Sequence, residues 1–148
     1  MDFKVTRNQN PTPKSERDAI LANPVFGAKL TDHQVVVVWE KDKGWHSAEV
    51  IPYGPILMDP SSAVLHYGQE IFEGIKAYRH QDGSIWTFRP EENAKRLQRS
   101  AKRMALPELP IDVFVDSLRH LISVDGAWVP KPEGEKTLYF RPFEKTLK

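Results

Sequence analysis

Arg96, Arg99 and Arg103 follow one another at spacings of three and four residues, which on a helix lines their side chains along one arc. The arc has two readings. One is a solvated helix flank, since arginine is seldom buried unpaired; the other is an anion-binding edge, since a guanidinium fork matches phosphate bidentately. In "LYFRP" the alternation of a strand puts Tyr139 and Arg141 on one face and Leu138 and Phe140 on the other. A cation and a hydroxyl donor pointing the same way suit a carboxylate ligand, and the pair would serve equally as the wet face of a half-buried sheet. A third stretch, "YGQEIFEGIKAY", sets Tyr67, Phe72 and Tyr78 beside Gly68 and Gly74. Stiff aromatic walls next to glycines that admit close backbone approach read either as a pocket wall or as core and turns. Glu70 and Glu73, three apart, read as surface or structural carboxylates before they read as an acid/base pair. The five histidines form no H-E-x-x-H pattern, and no P-loop, nucleophile elbow or dinucleotide glycine motif occurs. No metal site is expected.

These residues need elements to hold them. "DHQVVVVWEKDKGWHSAEVIPYG" predicts a hairpin: a β-branched run to Trp39, a turn at Asp42-Lys43-Gly44, and a second strand with His46, Ala48 and Val50 on one face. "IKAYRHQDGSIWTF" predicts another, with Asp82-Gly83 as its turn between Ile75–Arg79 and Ile85–Phe88. The period then changes. Ala94, Leu97, Ala101, Met104 and Ala105 share one side of a helix opened by Pro90 and ended by Pro107. A second helix is expected from Asp112 as N-cap, with Phe114, Leu118, Leu121 and Ile122 inward and a stop at Asp125-Gly126. "TLYFRPF" closes the order as a strand that Pro142 puts at an edge or strand end, and the charged Glu144-Lys145 is a poor continuation for a buried strand. Strands followed by helices with short hairpin connections indicate an α+β domain with an antiparallel or mixed sheet and two main helices. Residues 1–25 read as a polar, proline-containing arm around one short helix, Ser15–Ala22, and residues 26–148 as the domain.

With 148 residues the chain suits one domain with a single core. Its 40% hydrophobic and 28% charged residues exclude wholesale disorder and fibrous repeats. The net charge of +1 argues against a general nucleic-acid or membrane-surface protein, so an arginine-rich helix acting as a phosphate or nucleic-acid module stands only as the alternative. The longest apolar run, Val35 to Trp39, is far short of a membrane span, and no secretory signal is visible. A cytoplasmic location is the expectation. The absence of cysteine excludes disulfides and thiolate metal sites.

Taken together, "FGAKLTDHQVVVVWE", "LHYGQEIFEGIKAYR", "FRPEENAKRLQRSAKRMALP" and "LYFRP" resemble, in family order, the small N-terminal domain of branched-chain amino acid aminotransferases, pyridoxal 5′-phosphate enzymes of fold type IV. The resemblance runs from about Phe26 to Pro142 and implies specific roles. Arg96 matches the arginine that binds the cofactor phosphate. Tyr139 matches a tyrosine at the substrate α-carboxylate, and Arg141 an arginine at the side-chain carboxylate of glutamate. Phe26, Tyr67 and Phe72 match aromatic residues that line the pocket for leucine, isoleucine and valine, some across the interface of a homodimer. The activity implied is ping-pong transamination with 2-oxoglutarate, using a Schiff-base lysine. In the family that lysine lies in a large C-terminal domain. None of the lysines here matches it, and "FEKTLK" departs from the apolar crossover strand expected there. The chain is therefore expected to be a truncated domain, inactive alone, whose partners are its own large domain and a second subunit.

Overall fold

A computed structural model describes residues 1–147. The first expected hairpin is present as β2 (His33–Glu40) and β3 (Gly44–Pro52), antiparallel, with Gly44 at φ +68° in the turn. Between the pairs Val36↔Glu49 and Val38↔His46, two residues of β3 face one of β2. This bulge, with Ser47 at φ +51°, breaks the alternation: Ala48 and Val50 are buried, whereas His46 turns to Glu40. The arm contributes one strand that its composition did not suggest, β1 (Lys4–Val5), parallel to β3, ahead of α1 (Lys14–Ala22).

After a short helix, α2 (Ala63–Tyr67), the chain runs as β4 (Glu70–Phe72) and β5 (Ile75–Arg79), turns at Gly83 (φ +85°), and returns as β6 (Ile85–Thr87). Helices α3 (Pro90–Arg103) and α4 (Ile111–Asp125) follow, then β7 (Leu138–Phe140) and β8 (Phe143–Lys145). β5 lies between β6 and β7, and β4 pairs with β8, both antiparallel. The fold is α+β, as expected. Ile71, Ile75, Ala77 and Phe140 pack from the strands onto Ala94, Leu97 and Ala101 of α3 and Phe114 and Leu118 of α4. Burying one such leucine or phenylalanine contributes about 1.5–3 kcal/mol.

Four local expectations change. α4 begins at Ile111 with Pro110 as its N-cap, so Asp112 is not the cap but lies in the first turn, where its charge suits the helix dipole. Gly126 stays right-handed and continues as a 3-10 turn, Gly126–Trp128, instead of stopping the helix. Ala105 is exposed, not on the apolar stripe: at φ +54° it terminates α3, with the Leu106 N–H bonded to Ala101 O at 2.9 Å. The charged tail does form a strand, because backbone pairing is indifferent to side-chain charge and Lys145 stands opposite Glu70.

The two halves are tied by polar contacts. Asp125 accepts from the His33 backbone N–H (2.9 Å) and pairs with its Nδ1 (2.7 Å), while His33 Nε2 accepts from the Asn8 N–H (2.8 Å). Asp32 accepts from Thr12 N–H and hydroxyl and from Trp128 Nε1, which fastens the arm to the 3-10 turn. Among the described residues no helix is long and apolar enough to cross a membrane.

Candidate functional site

β4 and β5 form one arm of a ribbon, β7 and β8 the other, and both arms break at the same level. Glu73-Gly74 interrupts the first and Arg141-Pro142 the second, with the Glu73 N–H bonded to Pro142 O at 2.8 Å. Pro142 has no N–H to give a ladder, so a break there is chemically dictated. Gly74 is required for space: a Cβ on it would lie 2.4 Å from Tyr139 Oη and 3.0 Å from two ring carbons. The tyrosine therefore sits directly over the glycine.

From that seat Tyr139 gathers its neighbours. Arg141 Nε donates to Tyr139 Oη at 3.0 Å, and its guanidinium carbon lies 4.5 Å from the Phe72 ring centroid and 5.2 Å from that of Tyr139. Phe26 meets the tyrosine edge-on at 5.1 Å and 70°. Phe26, Phe72, Tyr139 and Arg141, distant in sequence, thus form one cluster, and both phenylalanines remain largely exposed. Tyr67 is not drawn in: it ends α2 at 85% exposure, with His66 as its ring neighbour at 6.3 Å.

Arg96 reaches the cluster indirectly. Its Nε and Nη2 bind the two oxygens of Glu73 at 2.6 and 2.7 Å, and Asn93 Nδ2 bridges Glu73 Oε2 (3.1 Å) and Gly74 O (3.2 Å). Glu73 is 3% exposed, whereas the Arg96 side chain is 59% exposed. Burial pushes the Glu73 carboxyl up, but the bonds from Arg96 and Asn93 outweigh it and hold it below the ordinary carboxylate range. The same bond raises Arg96 further. Arg99 and Arg103 are exposed on the flank, so the arginine arc is not uniform. A hollow of about 240 Å³ is walled by Gly74, Lys76, Tyr78, Phe88, Asn93 and Tyr139; of the site residues expected from the sequence, Tyr139 lines it and Phe26, Tyr67, Phe72, Arg96 and Arg141 do not. Its volume is below the roughly 300–1,000 Å³ of a complete small-molecule pocket and suits one wall of such a pocket.

Arg141, set over the faces of Phe72 and Tyr139, and Arg96, half-open and bound to Glu73, are two cations near the same bend, each with guanidinium donors suited to an anionic group. Known proteins carry a closely similar sequence. A curated branched-chain-amino-acid aminotransferase of Mycolicibacterium smegmatis is 61% identical over 143 residues, 97% of this chain and 39% of the relative. The chain belongs to the branched-chain aminotransferase family. It spans about two fifths of the length of the curated relatives it matches. No family model matches it. In structure the chain is similar to the branched-chain aminotransferase of the thermophilic archaeon Thermoproteus uzoniensis solved with norvaline. The TM-score is 0.55 at 25% identity over 67% of this chain and 31% of that one. A second likeness is to the branched-chain amino acid aminotransferase of Escherichia coli (TM-score 0.54, 27% identity, 66% and 30% covered). These neighbours share the fold type IV architecture that the hairpins and helices of this chain match.

Residue types and spacing picked out Tyr139 with Arg141 and the aromatic stretch, while the individual roles came from the resemblance. Asn93 carries no site signal in residue type or spacing, and Glu73 reads from its spacing as a surface or structural carboxylate. A signal for Glu73 existed: it falls on the inward phase of Ile71, Ile75 and Ala77, all buried, so an acid there needs a buried partner.

Proposed function

We propose that residues 26–148, behind an arm of residues 1–25, are the small domain of a cytoplasmic, homodimeric branched-chain aminotransferase. The reaction is transamination between leucine, isoleucine or valine and 2-oxoglutarate. The observation that carries this reading is the Arg141 guanidinium held 4.5 Å over Phe72 and bonded to Tyr139, with Phe26 on the tyrosine's other side. An alkyl side chain meets the rings, and an acidic one meets the arginine. One wall thereby serves both amino donors.

Arg96 fits a phosphate. Of the five N–H groups of a guanidinium, Glu73 takes one on Nε and one on Nη2, leaving three on the outer edge of a half-exposed side chain. Pyridoxal 5′-phosphate, when bound, supplies the electron sink for the amino-group exchange. Tyr139 accepts from Arg141 and so keeps its own hydroxyl proton to donate to the substrate α-carboxylate. Arg141 spends only Nε on the tyrosine, which leaves its terminal fork for the glutamate side-chain carboxylate. Tyr67, 85% exposed at the end of α2, is open to a second subunit and lines the branched-side-chain pocket across the dimer interface. The large domain brings the Schiff-base lysine, so the chain alone is inactive.

The test is a hybrid in which this chain replaces the matching segment of the Mycolicibacterium smegmatis aminotransferase. Leucine and 2-oxoglutarate turnover is expected with added pyridoxal 5′-phosphate; a folded hybrid without it overturns the reading. Arg141→Ala in that hybrid should raise the KM for glutamate about 10- to 100-fold and that for leucine by less than about threefold, since a charge-assisted bond contributes about 1.5–3 kcal/mol. Equal losses on both substrates remove the Arg141 assignment.

A further inference from the structure

We infer that Glu73, braced by Asn93, is a positioning residue that presents Arg96 to a phosphate monoester. The inference rests on the reading of Arg96 as a phosphate ligand and goes beyond it by naming what fixes the arginine.

The first support is the place of Glu73 in the strand. Ile71, Glu73, Ile75 and Ala77 alternate inward, at 7%, 3%, 5% and 0% exposure, so the acid occupies a position that packing alone would fill with an apolar side chain. A carboxylate there is unfavourable unless it is paired and hydrogen-bonded, and its side-chain partners are Arg96 and Asn93. The second support is anchorage. The Glu73 main chain is bonded to Pro142 O at the bend, and Asn93, three residues before Arg96 on α3, ties the carboxylate to Gly74 O. Strand, bend and helix therefore all fix one carboxylate, which in turn fixes one guanidinium through its Nε and Nη2 edge.

The third support is the asymmetry of exposure. Glu73 is sealed, while Arg96 is more than half open. An arginine left free in water loses much side-chain rotamer freedom when it captures an anion, and one already clamped along its inner edge has lost it beforehand. The carboxylate charge opposes the phosphate, but across an exposed guanidinium water screens that repulsion, so rigidity prevails. The clamp also selects geometry: the free outer edge is a planar row of donors, which a compact phosphate can span.

In the hybrid, apparent Kd values for pyridoxal 5′-phosphate and for unphosphorylated pyridoxal are measured by absorbance titration of the cofactor-stripped protein, with thermal melts alongside. Glu73→Gln should weaken the phosphorylated form about tenfold and leave pyridoxal unchanged. Arg96→Ala should weaken the phosphorylated form more, and the double variant should be no worse than Arg96→Ala, because Glu73 acts through the arginine. If Arg96→Ala leaves pyridoxal 5′-phosphate binding intact, the phosphate reading itself falls. If Arg96→Ala weakens it while Glu73→Gln has no effect, tightens it, or weakens both forms alike, that reading stands and the positioning role of Glu73 is overturned. Should Glu73→Gln fail to fold, Asn93→Ala decides: a loss of about threefold confined to the phosphorylated form is expected, and no such loss overturns the inference.

Discussion

Asp125 and Glu73 are 2% and 3% exposed, and each binds a basic side chain, but the two partners sit differently. His33 is 5% exposed and bonded on both ring nitrogens, to Asp125 and to Asn8, so that pair is closed and can only hold α4, β2 and the arm together. Arg96 is 59% exposed and bonded to Glu73 along one edge. A buried acid with a buried base is a rivet; a buried acid with an exposed base is a mount. The difference separates polar groups that stabilise from polar groups that are available to a ligand.

The largest expected effect breaks the rivet. Asp125→Ala should cost about 3 kcal/mol in urea denaturation, because it leaves two donors of His33 buried without an acceptor. Glu73→Ala should cost roughly half of that, since Arg96 can turn to water. Equal costs would mean that the exposure of the basic partner is immaterial. Next comes Gly74→Ala, whose Cβ would meet Tyr139 Oη at 2.4 Å. The tyrosine must swing away from Phe26 and Arg141 at about 1–3 kcal/mol, visible as a lower melting temperature and a changed near-ultraviolet tyrosine signal.

A third carboxylate sharpens the contrast. Glu144, opposite Ile71, has both oxygens buried without a hydrogen-bond partner among the described residues, and burial pushes it up to about 7. Its folded value is above the ordinary 4.5, so its contribution is fully present below 4.5 and is lost as pH rises through about 7. Glu73 runs the other way: its folded value is depressed, so its contribution is present above the ordinary range and lost as pH falls. Wild type should therefore lose on the order of 1 kcal/mol between pH 5 and 8, after allowance for solvent screening, and Glu144→Leu should flatten that slope in urea titrations. The smallest effect is at the end of α3, where Ala105→Gly should add about 0.5–1 kcal/mol to stability by relieving φ +54°.

Local chemistry made much of the fold legible. The turns at Asp42-Lys43-Gly44 and Asp82-Gly83, and the helical stripe of Ala94, Leu97 and Ala101, are short-range signals, and the structure carries them as read. The bulge at Ser47 and the strand of the charged tail were illegible because they depend on what lies opposite, not on the residues themselves. The site divides in the same way. Tyr139 and Arg141 are two apart and could be paired by strand period, whereas Glu73 and Arg96 are 23 apart and on different elements, so neither neighbourhood shows that they pair. Phe26 joined the cluster only because the chain returns past Tyr139 from over a hundred residues away.

The ribbon whose two arms break side by side behaves like a ruler with a notch in each edge. Because Glu73 N–H meets Pro142 O only when the notches align, losing or gaining one residue between Phe72 and Tyr78 would slide Tyr139 off its glycine and put the inward residues on either side of the change, Ile71 and Ala77, out of phase with each other. The spacing along these strands is thus as much a part of the site as the side chains, and a single deletion there would do more damage than most substitutions.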